Sequence, residues 1–158
     1  MSEIEIGRGK RGRRAYSFDE IAVVPSRRTR DTQEVSVSWQ IDAYHFAIPV
    51  LGAPMDSVMS PATAVELGRL GGLGVLDLEG LWTRYDDPEP LLEQIGTLDP
   101  VKATARMQQI YAEPIRPELI TERLRDLRAA GVTVAAALSP KQTQAHWRTV
   151  VDAGVDLF

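Results

Sequence analysis

Residues 48–77, IPVLGAPMDSVMSPATAVELGRLGGLGVLD, contain the pattern that decides the fold class. Two short apolar runs, IPVLGA and LGVLD, flank a segment that opens at Ser60-Pro61 and closes at Gly71. A serine before a proline is typical of a helix start, because the hydroxyl caps free N–H groups and proline has no N–H to leave unpaired. Glycine is typical of a helix end. The stretch therefore predicts a strand, a helix and a second strand.

The same start and stop signals recur along the chain. Further starts are Asp87-Pro88, Asp99-Pro100 and Ser139-Pro140, with Gln142 at capping-box spacing from Ser139. An amphipathic helix begins at Pro117 without a good capping residue, and its apolar face carries Leu119, Ile120, Leu124, Leu127 and Ala130. Predicted helix stops, with glycine in the left-handed conformation, are Gly71, Gly96, Gly131 and Gly154. The apolar runs VTVAAAL (132–138) and VDLF (155–158) follow the last two stops.

The apolar runs are short and uncharged until their last residues, as expected of strands buried on both faces of a parallel sheet. Strand, helix and strand in succession imply right-handed crossovers. We predict an α/β fold, a TIM (β/α)8 barrel of which this chain holds about four strands, since a complete barrel takes eight strands and typically ~250 residues. The predicted domains are an N-terminal arm, 1–47, and the first half of a barrel, 48–158, with a helical insertion at about 79–116.

Composition restricts the class of function. Of 158 residues, 44% are hydrophobic and 25% charged, and the net charge of −4 gives no general reason to expect nucleic-acid or membrane binding. With no cysteine, disulfides, thiolate metal sites and a cysteine nucleophile are excluded within this chain. No signal-peptide run or membrane span is evident, and we expect a cytoplasmic protein.

A basic arm near the N-terminus is the clearest charge asymmetry. It contains Arg8, Lys10, Arg11, Arg13 and Arg14 between glycines. One interpretation is a solvated or disordered terminus. The alternative is contact with a phosphate or with an acidic neighbouring subunit; the lack of interleaved aromatic residues argues against a nucleic-acid groove.

Residues that could carry chemistry should lie where the strands end, at the carboxyl rim of a barrel. Three places qualify: residues 53–58, residues 77–79 and Ser139. Asp56 could bind a ligand hydroxyl or orient its loop, or only satisfy backbone N–H groups ahead of the Ser60 cap. Met55 could offer an apolar face to a flat ring, or only fill the core. Ser139 is interpreted as a cap.

Two other kinds of site are not indicated. His45 and His146 are far apart in the sequence, with no carboxylate or cysteine at ligand spacing, so no metal site is predicted. The glycines of residues 71–74 precede a strand, whereas a dinucleotide-binding turn places them after one.

Several segments, taken in order, resemble the IMP dehydrogenase/GMP reductase family. YSFDEIAVVP (16–25) resembles the segment that leads into the family's barrel, and IPVLGAPMDSV (48–58) and LGGLGVL (70–76) resemble its first two strands. AAGVTVAAA (129–137) and VDAGVDLF (151–158) resemble the third and fourth. Members usually carry two CBS domains between the second and third strands. The linking stretch here is too short for them, which fits a CBS-less, IMP dehydrogenase-related branch.

The resemblance implies an NAD- or NADP-dependent purine nucleotide oxidoreductase. In the family a mobile-loop cysteine attacks C2 of the purine and a hydride moves to or from NAD(P). IMP dehydrogenases convert IMP to XMP, and GMP reductases convert GMP to IMP. By resemblance Ala53 and Met55 would line the nucleotide pocket and Asp56 would support that loop. The cysteine loop and most cofactor contacts would lie beyond Phe158, so no catalytic residue is expected in this chain.

One departure from the family bears on activity. Where dehydrogenases tend to show His-Lys-Asn and reductases His-Lys-His, this chain has Asp77-Leu78-Glu79. Loss of the lysine leaves a non-catalytic nucleotide-binding paralogue as an alternative to the enzyme. A third alternative is a short protein whose half-barrels pair as a dimer. Family barrels assemble as homo-tetramers or octamers, which the resemblance implies for a full-length protein.

Overall fold

The computed structural model of the chain describes residues 3–24 and 31–158. The fold divides into two units, Met1–Ser36 and Val37–Phe158. Pro25, the last residue of the predicted lead-in segment, lies outside the described residues. The predicted boundaries of the arm, the half-barrel and the insertion stay predictions.

The first unit contains a short hairpin. Strand β1 (Glu3–Glu5) pairs antiparallel with β2 (Arg11–Arg13), and Arg11 forms an exposed ion pair with Glu3 at 3.4 Å. A 3₁₀ helix follows at Phe18–Glu20, where the Ser17 N–H donates to the Glu20 carboxylate at 3.0 Å. The basic arm up to Arg13 is thus an exposed hairpin, and its contact with a phosphate or an acidic neighbour stays a prediction.

The second unit alternates strands and helices. Its strands are β3 (Trp39–Ile41), β4 (Tyr44–Phe46), β5 (Leu51–Gly52), β6 (Leu73–Asp77) and β7 (Ala135–Ala137). Its helices are α1 (Pro61–Arg69), α2 (Glu89–Gly96), α3 (Pro100–Ile110), α4 (Pro117–Ala129) and α5 (Pro140–Asp152), with a 3₁₀ helix at Leu81–Thr83.

The central sheet is parallel, in the order β5-β6-β7. Leu51 lies opposite Leu73, and Val75 lies opposite Ala135. The last residues join the far edge through a parallel bridge between Ala135 and Leu157. The predicted α/β class with a parallel sheet is confirmed. Strands β5 and β7 are shorter than the predicted runs 48–53 and 132–138. Residues 155–158 form one bridge instead of the predicted fourth strand.

Most predicted helix starts are confirmed. The hydroxyl of Ser60 accepts from the Thr63 N–H at 3.0 Å, and the Asp99 carboxylate accepts from the Lys102 N–H at 3.2 Å. Helix α2 begins at Glu89, one residue later than predicted, and Pro88 is the residue that precedes it. The Asp87 carboxylate still accepts from the Glu89 N–H at 3.2 Å.

The stop signals are confirmed at three of four glycines. Gly71, Gly131 and Gly154 have positive φ, a backbone conformation that glycine adopts without strain. The prediction for Gly96 is wrong. Gly96 is the last residue of α2, its φ is not positive, and Thr97 caps the helix in the right-handed region.

The main core lies between the sheet and the helices on its outer side. Leu76 of β6 is fully buried, as are Ile120 and Leu124 of α4 and Val150 of α5. The apolar face predicted for the helix beginning at Pro117 is therefore confirmed. Helix α1 lies so close to β6 that a Cβ at Gly74 would sit 2.6 Å from the Ala64 Cα.

A hairpin not predicted from the sequence covers part of the inner face of the sheet. Strands β3 and β4 pair antiparallel, and their Trp39 and Phe46 rings stack with centroids 4.8 Å apart. Phe46 packs with the inward-facing side chains Leu73 and Ala135. This face of the sheet is thus covered in part, while Leu51 at the edge is about half exposed.

Asp156 joins the end of the chain to three neighbours. It accepts hydrogen bonds from the Val134 N–H at 2.9 Å, from Arg128 at 2.7 Å and from the Tyr44 hydroxyl at 3.2 Å. Burial alone raises the pKa of this carboxyl, but the Val134 N–H and the Arg128 guanidinium outweigh burial and lower the pKa below its ordinary value. The ionised form is therefore the one that the fold stabilises.

We expect Asp156→Asn to reduce stability in a pH-dependent way. A carboxyl whose pKa is lowered by folding adds stability above its unfolded pKa, about 3.9, and loses it as the pH falls through the folded value. Urea midpoints should therefore favour the wild type at pH 7, and this advantage should shrink below about pH 4. A difference between the two proteins that is constant from pH 7 to pH 2.5 would contradict this role for Asp156.

Candidate functional site

The loop after β5 forms a tight turn at the carboxyl edge of the sheet. The Met55 N–H donates to the Ala53 carbonyl at 2.9 Å, and the N–H groups of Val58 and Met59 donate to the Met55 carbonyl at 2.9 and 2.8 Å. Met59 is buried, but the Met55 side chain is 51% exposed. The turn therefore presents Met55 at the rim, and Met55 does not fill the core.

Asp56 connects this turn to the loop after β6. Its Oδ2 accepts from the Leu81 N–H at 2.8 Å and from the Tyr111 hydroxyl. Its Oδ1 is buried and has no hydrogen-bond partner within the described parts of the chain. A Cβ at Gly80 would overlap this carboxylate, so a glycine is needed beside it. Asp56 satisfies a backbone N–H, as one interpretation expected, but that of Leu81 and not one near Ser60.

Asp77 ends β6 next to Asp56. Its Oδ1 accepts from the Glu79 N–H at 2.8 Å. Burial raises the pKa of Asp77, and the negative charges of Asp56 and Glu79 raise it further, against the Glu79 N–H and Arg84, which lower it. Asp77 is therefore a half-buried acceptor in an acidic environment.

Glu79 connects the loop after β6 to the loop after β7. Its carboxylate accepts from the Ser139 N–H, while the Ser139 hydroxyl accepts from the Gln142 N–H at 3.5 Å. Ser139 is thus a helix cap. The predicted capping box is wrong in its second half, because Glu79 takes the Ser139 N–H that Gln142 was expected to bind.

The segment between β6 and α4 forms one wall of a pocket at this rim. The pocket, which we call the rim pocket, has a volume of about 390 Å³. The sheet side contributes Met55, Asp56 and Asp77, and helices α2 and α3 with the residue after them contribute Leu92, Ile95, Met107 and Tyr111. The sequence predicts an insertion at about 79–116 but gives no signal that this segment lines the site.

The Tyr111 hydroxyl holds this wall against the rim. Burial and the neighbouring Asp56 carboxylate raise the pKa of Tyr111 well above its ordinary value. The phenol therefore stays protonated at neutral pH and donates to Asp56. Tyr85 adds a second hydroxyl contact within the segment, donating to the Ile110 carbonyl at 3.0 Å.

Arg123 of α4 anchors the near end of the same segment. Its side chain is 11% exposed, and it donates to the Trp82 carbonyl at 3.1 Å and to the Asp86 carbonyl at 2.6 Å. The Arg116 N–H donates to the Thr83 carbonyl at 2.8 Å. These hydrogen bonds fix the wall of the rim pocket to helix α4.

Leu78, the middle residue of Asp77-Leu78-Glu79, points into the core and contributes no group to the rim. Leu78 is fully buried and packs in the main core with Leu76 and Val134. Its neighbours Asp77 and Glu79 both accept bonds from backbone N–H groups. All three residues thus have structural contacts of their own.

Two kinds of feature are absent from residues 3–24 and 31–158. No helix in these ranges is both long enough and apolar enough to cross a membrane. No group of three or more histidine, aspartate or glutamate side chains in them could hold a metal ion.

Comparison with known proteins identifies relatives over nearly the whole chain. Residues 15–158 match the family described as IMP dehydrogenase / GMP reductase domain. A protein of Mycolicibacterium smegmatis named an uncharacterized oxidoreductase is 45% identical over 98% of this chain and 43% of its own length. An inosine-5'-monophosphate dehydrogenase of Methanocaldococcus jannaschii is 36% identical over 40% of this chain and 13% of its own length.

A solved structure also aligns with the chain. The crystal structure of an IMP dehydrogenase/GMP reductase-like protein from Corynebacterium glutamicum superposes with a TM-score of 0.85 and 39% sequence identity, covering 98% of this chain and 43% of that one. The chain therefore spans less than half the length of these full-length relatives.

Proposed function

Because the chain belongs to the IMP dehydrogenase/GMP reductase family, we propose that it supplies the first strands of a β/α barrel whose rim binds a purine nucleotide. The proposed reaction is oxidation of IMP to XMP with NAD. The proposed assembly is a homo-tetramer or octamer. Support comes from the family match and from the parallel order of β5, β6 and β7, which a barrel requires.

The exposed Met55 is the observation that carries the nucleotide proposal. A flexible thioether held on a fixed turn offers a polarizable apolar surface on which a purine ring can lie. Ala53 lies beside it, accepting the Met55 N–H. Asp56 accepts hydrogen bonds from Leu81 and Tyr111 and so supports the loop. In this proposal Ala53 and Met55 contact the nucleotide, and Asp56 is a positioning residue.

The family implies a nicotinamide dinucleotide, NAD or NADP, and the described rim suits only part of it. The rim pocket combines apolar side chains with carboxylates, an environment for a base. No lysine, arginine or histidine is among its lining residues, so the pocket does not fit the diphosphate. When bound, the dinucleotide would accept or supply a hydride. In this proposal the rim residues of this chain bind and orient the ligands, and no residue among 3–24 and 31–158 is assigned the transfer of a proton or hydride.

A second candidate is a nucleotide-binding protein without turnover. Leu78 favours it, since an apolar side chain buried in the core occupies the position where family members tend to have lysine. Such a protein would bind IMP or GMP through the same rim.

Assays of the full-length protein separate these functions. XMP formation from IMP and NAD supports the dehydrogenase, and NADPH consumption with GMP supports the reductase. Calorimetric binding of IMP or GMP without turnover supports the second candidate. Absence of both turnover and nucleotide binding would reject the family function for this protein.

A further inference from the structure

The hairpin of the first unit presents a cationic tip. Arg8 and Lys10 lie between β1 and β2, next to two glycines with φ of +73° and +71°. Both basic side chains are exposed, and neither forms an ion pair with another described residue. Residues 3–14 together contain five basic and two acidic side chains. The hairpin is therefore cationic, and the charge at its tip is unpaired.

The same hairpin exposes apolar surface. Ile4 and Ile6 are 50% and 61% exposed, and as residues two positions apart on an extended strand they lie on one face. Burial of this surface would stabilise a contact through the hydrophobic effect. A groove for single-stranded nucleic acid offers aromatic rings for the bases to stack on, and residues 3–14 contain none. The hairpin therefore suits a protein surface better than a nucleic acid.

The complementary charge is concentrated in residues 77–99. This segment contains seven acidic side chains and one basic side chain, a net charge of −6, whereas the whole chain has a net charge of −4. The loop after β6 and helix α2 therefore account for the acidity of the protein, and each copy carries a cationic and an anionic surface.

Glu89 and Glu93 present this negative charge on α2. They lie four residues apart, on one face of the helix, and both are exposed. Asp86 and Asp99 of the same segment pair with basic side chains of their own chain. Neither Glu89 nor Glu93 has an ion pair within the described parts of the chain. The two glutamates thus remain available to a partner.

We propose that the hairpin of one copy docks on helix α2 of a second copy, with Arg8 and Lys10 facing Glu89 and Glu93 and the two isoleucines adding apolar contact. Charge complementarity argues for this occupant, because both surfaces are present in every copy and unpaired in each. Such complementarity selects the partner and speeds association more than it adds affinity. Contact between two different surfaces is heterologous and generates a ring when the rotation closes. The proposal rests on the proposed homo-oligomer and adds the surfaces that meet in it.

Carbodiimide cross-linking of the full-length wild type tests this contact directly, since the reagent joins an amine to a touching carboxylate without a spacer. The 158 residues contain three lysines, Lys10, Lys102 and Lys141. We expect a peptide that links Lys10 to Glu89 or Glu93, in a species of twice the protomer mass on a denaturing gel. Lys141, exposed on α5, is the control and should give no link to α2. Absence of the Lys10 peptide from the doubled species, or its presence only at the mass of one protomer, would overturn the proposal.

Charge reversal tests the same contact by its strength. The hairpin variant carries Arg8→Glu and Lys10→Glu, and the α2 variant carries Glu89→Lys and Glu93→Lys. Each variant alone places like charges opposite each other, so sedimentation velocity at low salt should show about tenfold weaker association. A 1:1 mixture should associate like the wild type, because the reversed surfaces meet each other and so do the native ones. Mixing cannot restore a contact made within one chain, so a mixture as weak as its components would overturn the proposal.

Arg125→Glu with Lys141→Glu is the matched control for the hairpin variant. It makes the same change of net charge at two exposed positions on α4 and α5, and we expect it to associate like the wild type. In about 1 M NaCl the wild type and the charge-reversal variants should converge, because the Debye length falls from about 10 Å at 0.1 M to about 3 Å. Equal association of the hairpin, α2 and control variants at low salt would contradict the docking contact.

The outcomes separate the docking contact from the proposed function. IMP turnover by an oligomer without the link from Lys10 to α2 would keep the enzyme and reject the contact. An oligomer that gives the link but no turnover would keep the contact and reject the enzyme. A wild type that stays monomeric would reject the proposed assembly and the contact together, while its turnover of IMP would still support the proposed reaction.

Discussion

Leu76→Ala is expected to lower the free energy of unfolding by about 2–5 kcal/mol. Leu76 is fully buried in the middle strand of the sheet and packs in the main core with Leu124 and Val134. Truncation removes buried apolar surface and leaves a cavity that the strand cannot close without losing its pairing on both sides. Equilibrium unfolding in urea, followed by circular dichroism, measures the change.

Leu70→Ala provides the control for this substitution. Leu70 is 69% exposed at the end of α1, and a substitution at such a site should change stability by no more than about 0.5 kcal/mol. Equal losses at positions 70 and 76 would show that the core does not lie on the outer side of the sheet.

Asp56→Ala should have the second large effect, on stability and on binding together. It leaves the Leu81 N–H without its acceptor in a fully buried residue, at a cost of about 1–3 kcal/mol, and frees the Tyr111 hydroxyl as well. We expect a total loss of about 2–4 kcal/mol and at least tenfold weaker nucleotide binding in the full-length protein. Urea unfolding and calorimetry give the two values.

Asp56→Asn and Tyr111→Phe separate the contributions. The asparagine oxygen can still accept from Leu81, so this variant should lose less stability than Asp56→Ala. Tyr111→Phe removes only the contact with the wall, and Tyr85→Phe, which breaks a hydroxyl bond to Ile110 away from the rim, is its control. If Asp56→Ala unfolds and binds like the wild type, the turn after β5 must be held by other contacts.

The parallel βα order could be predicted because its signals are local. Ser60, Asp99 and Ser139 each cap a helix through bonds to a residue three positions ahead, and the conformational preference of glycine acts within one turn. Such preferences depend little on the rest of the molecule. Gly96 shows the limit, since the same residue type ends α2 without entering the left-handed region.

The site could be predicted only in part, because its contacts join distant parts of the chain. The sequence predicts Met55 and Asp56 as site residues because they follow a predicted strand. The bonds from Tyr111 to Asp56 and from the Ser139 N–H to Glu79 have no counterpart in local spacing. The wall of the rim pocket depends on how α2 and α3 fold back, which no periodicity within those helices specifies.

The segment between β6 and α4 leaves and rejoins the sheet layer at nearly the same point. The bond from the Arg116 N–H to the Thr83 carbonyl closes its base. An inserted segment whose two ends lie close together can be lengthened or shortened at a small entropic cost to the rest of the fold. Changes in the length or sequence of this segment can therefore alter ligand preference at this edge at a small entropic cost, provided that the contacts of Tyr111 with Asp56 and of Arg123 with the segment are kept.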